Sequence, residues 1–265
     1  VQGYAILSDR VQPRPQDRMG EMARTGRQPR ATDATNVLVI DVGGTHVKVS
    51  ATGGRKAIKI PSSPAMTPAR MVAAVKKATA GWTYSVVSIG YPGAVLHGKP
   101  ISEPHNLAGG WVGFNFQKAF GRPVRIINDA AMQALGSYRG GRMLFLGLGT
   151  GLGTALIVDG ALEPMELAHL PYKKGRTYED YVGHAGLKRL GRKKWEKHVA
   201  AVVDLLATAL EADDVVIGGG NIKLLRRLPV GARRGDNRHA FVGGYRLWNP
   251  QPRRGGLIDP RSIRM

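Results

Sequence analysis

The chain has 265 residues, a net charge of +20 and a pI near 10.6, with 43% hydrophobic residues, 36 glycines and no cysteine. Such a length and apolar content suit a globular α/β protein with one large core or two modest ones, and exclude a disordered chain. Lack of cysteine excludes disulfides, thiolate zinc sites and a cysteine nucleophile, and fits a reducing compartment.

Residues 1–35 hold six Arg against four acidic residues, so the remainder carries +18 of the +20. This stretch has no sustained period and reads as a disordered basic leader, or as a start codon assigned too early. From 36 the pattern becomes regular. Val37-Leu38-Val39-Ile40 predicts a buried strand, and Asp41-Val42-Gly43-Gly44-Thr45-His46-Val47-Lys48-Val49 predicts a tight turn and a returning strand. Gly43 and Gly44 let amide groups approach a ligand closely. Beside the Thr45 hydroxyl they make a phosphate cradle, with Asp41 placed to hold magnesium directly or through water. An ordinary hairpin with a charged rim is the plainer alternative.

A third strand is expected near Lys56–Ile60 and a helix over Thr67–Ala80, with Met71, Val72, Val75 and Ala78 as its apolar stripe, Thr67 its cap and Pro68 in its first turn. Tyr84–Gly90 reads as a strand. The loop Glu103–Asn115 looks too irregular to belong to a core. Val124–Ile127 is a strand that ends in Asn128-Asp129, and Ala130–Tyr138 a short helix. Asp129 suits two roles there: a helix cap, or a general base beside Asn128.

The second half repeats the first. Met143–Leu148 and Leu152–Val158 are strands joined by Gly149-Thr150-Gly151, and Ala161–Leu162 starts a third. Helices are expected at about Glu179–Leu190 and Lys193–Leu210, then a strand Val215–Ile217 and Gly218-Gly219-Gly220-Asn221 leading into a helix. A strand–turn–strand with a Gly/Thr corner in each half suggests two similar domains across a cleft, where ligands most often sit. The glycines fit neither the dinucleotide fingerprint nor a Walker loop, so any phosphate must lie on β-hairpins.

Glu166-Leu167-Ala168-His169 places a carboxylate and an imidazole at i, i+3, facing one ligand or forming a surface ion pair. Glu179 stands in Tyr178-Glu179-Asp180-Tyr181, a helix start that favours acids anyway. Lys188, Arg189, Arg192, Lys193, Lys194 and Lys197 form a basic run, either a solvated face or a track for a polyanion. So basic a body attracts polyanions without naming one.

Taken in order, these segments resemble the repressor/ORF/kinase (ROK) family of sugar kinases, and within it the polyphosphate glucokinase branch, over roughly residues 36–247. The matching positions are Asp41–Thr45, Asn128-Asp129-Ala130, Leu148–Gly153, Glu166–His169 and Val216–Gly220. The resemblance implies a hexokinase/actin-like α/β fold of two ribonuclease-H-like domains. It implies a first phosphate site at Asp41, Gly43, Gly44, Thr45 and Lys48, and a second at Gly149, Thr150 and Gly151. Gly218, Gly219 and Gly220 would face a nucleoside. Asp129 would be the base acting on a sugar 6-hydroxyl, with Asn106, Asn128, Glu166, His169 and Glu179 holding other hydroxyls. Mg²⁺ would be the cofactor, a hexose the acceptor (glucose first), ATP or inorganic polyphosphate the donor, and a homodimer a common assembly.

Three departures stand out. The cysteine-rich zinc loop of most relatives cannot exist here, Ala168 replaces a common glycine, and residues 1–35 show no DNA-reading head. The expected division is a small domain over 36–128 with a returning segment near 238–250, a large domain over 129–237, and a flexible tail over 251–265. A cytoplasmic enzyme without membrane or specific nucleic-acid partner follows. A sugar-sensing regulator without turnover is the rival.

Overall fold

The computed structural model describes residues 35–53 and 56–249 together with the short strands Pro252–Arg253 and Gly256–Leu257. Apart from those residues, the expected leader and tail lie outside the described part.

Five strands form the first sheet: β1 (Val37–Val42), β2 (His46–Ala51), β3 (Ile58–Pro61), β4 (Val86–Tyr91) and β5 (Val124–Asn128), in the order β3-β2-β1-β4-β5. All residues of β1 and β4 are buried, as continuous apolar runs at the centre of a covered sheet should be. The second sheet comprises β6 (Arg142–Leu148), β7 (Leu152–Val158), β8 (Ala161–Met165), β9 (Asp214–Gly218) and β10 (Ala232–Arg234), in the order β8-β7-β6-β9-β10. In both sheets the first three strands are antiparallel and the last two join in parallel. The repeat suggested by two Gly/Thr corners is therefore a repeat of whole sheets.

Seven helices cover these sheets among the described residues: α1 (Pro68–Ala78), α2 (Phe116–Phe120), α3 (Asp129–Ser137), α4 (Tyr178–Val182), α5 (His184–Leu190), α6 (Arg192–Ala209) and α7 (His239–Arg246). α1 starts as expected, its Thr67 hydroxyl accepting the Arg70 amide at 3.2 Å with Pro68 following. The helix expected over Glu179–Leu190 breaks at Gly183, whose Cβ would meet Thr150 O at 2.9 Å and Glu179 O at 2.8 Å. Only a glycine fits against the Thr150 corner, so the chain turns there into α5. The helix expected after Gly218–Asn221 is a single 3-10 turn, Gly220–Leu224. Contrary to expectation, the Glu103–Asn115 loop feeds the core: Trp111 is fully buried, 5.6 Å from the Tyr91 ring and 6.2 Å from Phe116.

The central cluster joins the sheets. Val37 and Val39 of β1 share it with Met143, Phe145 and Val216 of the second sheet, through α3 and α7. These helices cross backbone to backbone: a Cβ at Gly243 would fall 1.8 Å from Met132 O, and one at Gly136 1.9 Å from His239 O. Arg246 closes the joint, donating to the carbonyls of Leu135 at 2.6 Å and Tyr138 at 3.0 Å. None of the described helices is long and apolar enough to cross a membrane.

Candidate active site

A cleft of about 520 Å³ opens between the two sheets. Its walls bring together Gly43 and Gly44 from the β1–β2 corner, Gly149–Gly151 from the β6–β7 corner, and Gly219 and Gly220 after β9. Asn106, Asn128, Asp129, Glu166, His169 and Glu179 line the same space. Segments separated by more than a hundred residues thus meet at one polar cavity.

Four expected residues stand behind or beside this wall. Asp41 is buried and accepts an ion-paired hydrogen bond from Lys48 Nζ at 2.8 Å. Thr45 is exposed on its turn, its hydroxyl 3.3 Å from His46 Nδ1. Gly218 packs on Phe145, where a Cβ would lie 2.7 Å from the ring. Packing on Phe145 is thus enough to require a glycine there.

Asp129 opens α3, but the cap is its neighbour. Asn128 Oδ1 accepts the amides of Ala130 at 2.9 Å and Ala131 at 3.2 Å, while its Nδ2 donates to Gly93 O at 3.1 Å. Asp129 Oδ1 shares the Ala130 amide at 2.8 Å. The carboxyl of Asp129 is pushed up to about 7, first by burial and then by the negative charge of Asp41, against the opposing Ala130 amide and Lys48. A carboxyl that titrates near neutrality can take or give a proton at working pH.

Glu166 and His169 face one another as their spacing implied, with Nε2 3.9 Å from Oε1, on a non-helical turn and well exposed. Glu179 sits deeper. Its backbone N–H donates to Ala168 O at 3.0 Å, and its Oε2 accepts the Leu152 amide at 3.2 Å. Thr177 and Asp180 form a capping box that holds α4 in place for it.

Sequence reasoning missed Glu103, Ser102, His105 and Gln133, all at the cleft. Glu103 accepts the amides of Trp111 at 3.0 Å and Val112 at 3.2 Å, and these bonds hold its carboxyl below the usual range. No motif spacing marks it, because its partners lie across an aperiodic loop.

Residues 37–164 match the ROK family. The chain carries a ROK family domain. The match to the ROK family takes in Asp41 to Thr45, Asn128-Asp129 and the β6–β7 corner. The chain is 28% identical over 218 residues to a polyphosphate glucokinase of Mycobacterium tuberculosis, an alignment covering 74% of this chain and 82% of that protein. Among solved structures it resembles an inorganic polyphosphate/ATP-glucomannokinase from Arthrobacter sp. strain KM, with a TM-score of 0.69 at 24% identity, covering 80% of this chain and 97% of that one. A ROK family glucokinase from Streptomyces griseus, solved with glucose and AMPPNP, gives a TM-score of 0.67 at 16% identity over 82% of this chain and 100% of that one. The fold is the hexokinase/actin-like fold, two ribonuclease-H-like halves flanking a cleft.

Proposed function

We propose that this protein is a hexose kinase, moving a phosphoryl group from ATP or inorganic polyphosphate to the 6-hydroxyl of a hexose, with glucose the first choice. The observation that carries this reading is Asp129: a half-buried carboxyl titrating near 7, in one cavity with two glycine corners and a Glu/His turn. The names of the ROK relatives support the same reading.

In this mechanism Asn106, Glu166, His169 and Glu179 take the sugar hydroxyls. Asn128, with both ends of its amide already engaged, acts mainly by fixing the first turn of α3 and adds its remaining N–H. The sugar 6-hydroxyl lies against Asp129, which takes its proton as the oxygen attacks the terminal phosphorus and the P–O bond to the rest of the donor breaks, releasing ADP or a polyphosphate one unit shorter. The amides of Gly43 and Gly149 are spent within their turns, on His46 O at 3.1 Å and Gly151 O at 3.0 Å. Those of Gly44, Thr150 and Gly151 are therefore the ones to meet the negative charge of the donor, and Gly219 and Gly220 leave room for whatever follows the phosphates. Closing of the halves excludes water as a rival nucleophile.

No group of three or more His, Asp or Glu side chains able to hold a metal ion occurs among the described residues. Magnesium fits nonetheless, because it is commonly held by one or two carboxylates plus the phosphates of the substrate. Asp41 is the residue to hold it, through water, and the ion would supply charge neutralisation on the donor. The domain limits follow the same reading: 36–128 with 238–250, and 129–237.

Initial rates over a small matrix test this: glucose, mannose, fructose and N-acetylglucosamine, each with ATP and with polyphosphate. Sugar 6-phosphate should form from glucose with at least one donor. Binding of sugar without turnover in every combination would favour the regulator instead.

A further inference from the structure

The second glycine corner already holds an anion belonging to the protein. Glu179 Oε2 accepts the Leu152 amide at 3.2 Å, and a Cβ built on Gly151 would lie only 2.0 Å from that oxygen. The carboxylate therefore rests directly on the corner whose amides would receive a donor phosphate. Its backbone is tied the other way, through Ala168, to the turn that carries Glu166 and His169. One side chain thus bridges the hydroxyl-binding turn and the phosphate corner. Glu179 takes part in none of the ion pairs among the described residues.

We infer that Glu179 is a gate that couples sugar binding to donor binding, an inference that rests on the kinase reading. In the sugar-free protein its carboxylate fills the Leu152 amide and repels a polyanion at short range in a partly desolvated cleft. A hexose offers hydroxyl donors on the side of the Glu166–His169 turn. Those hydroxyls draw the carboxylate off the corner, freeing the amide for phosphate. The gate also suppresses the waste reaction, in which water attacks the terminal phosphorus, the bond to the donor breaks, and orthophosphate, a shortened donor and a proton are released.

Coupling between two ligands is reciprocal and measurable, typically 5- to 150-fold. Calorimetry with a non-hydrolysable ATP analogue and with tripolyphosphate, with and without glucose, reads it directly. In the wild type, saturating glucose should tighten donor binding about 10-fold or more. In Glu179→Gln the amide oxygen still accepts from Leu152, so the fold contact survives while the charge is gone. Sugar-free donor binding should then tighten about 10-fold and the coupling shrink to about 2-fold, alongside a weaker affinity for glucose. Glu179→Ala should show the same loss of coupling, together with faster donor hydrolysis in the absence of sugar. Wild-type coupling retained in both variants would assign it to domain closure alone and overturn the gate. A wild type whose donor affinity ignores glucose would do the same. A wild type that binds neither glucose nor donor would sink the kinase reading as well, a result distinct from those two.

Discussion

Asp129 concentrates the chemistry of the molecule and some of its instability. Its carboxyl titrates at about 7 in the folded protein against 3.8 as a free side chain. A base must be ionised to act, so kcat/KM should climb with pH through about 7 and level off above it. A flat profile between pH 5 and 8 would remove Asp129 from that role. Stability runs the other way. With the folded value raised, the favourable contribution is full below the unfolded value and is lost progressively as pH rises through 7, at about 1.4 kcal/mol per unit. Asp129→Asn should therefore raise Tm at pH 8 and give no advantage near pH 4, which thermal melts at the two pH values will show. In the sequence Asp129 was the candidate cap of α3, and Asn128 stood only as its partner in holding the sugar. Only coordinates show the cap bonds falling to Asn128.

At the level of elements, the α3–α7 crossing is where backbone approaches backbone. Gly243→Ala would drive a methyl to within 1.8 Å of Met132 O, a contact that only movement of a helix can relieve. Overpacking of this kind costs about 1–3 kcal/mol, so Tm should fall by several degrees, whereas Gly220→Ala, with open space at its Cβ, should melt like the wild type. Equal melting of the two variants would show that the crossing is looser than its geometry. Both glycine corners and their flanking strands were legible, because apolar β-branched runs broken by Gly/Thr turns are local signals. The Gly183 break was not, since its cause is Thr150, more than thirty residues earlier. Trp111 and Glu103 were hidden for the same reason: their partners lie across a loop with no period to read.

For the whole molecule, two sheets of identical strand order meet through α3 and α7 over a polar cleft, and the chain carries a net charge of +20. The repeated order was only half legible: the sequence showed two similar corners, and pairing across the parallel strands completed the picture. A charge of +20 should act on a polyanionic donor and leave a neutral sugar indifferent. Raising salt from low to about 0.3 M should therefore raise KM for polyphosphate severalfold and leave KM for glucose nearly unchanged. Parallel shifts in both would mean that salt perturbs the fold and not the encounter. The deciding measurement sets Asp129→Asn beside the wild type and follows glucose 6-phosphate formation and glucose affinity together. Loss of the base should lower kcat by about 10²–10⁴ with glucose affinity kept; turnover close to that of the wild type would remove Asp129 from the chemistry.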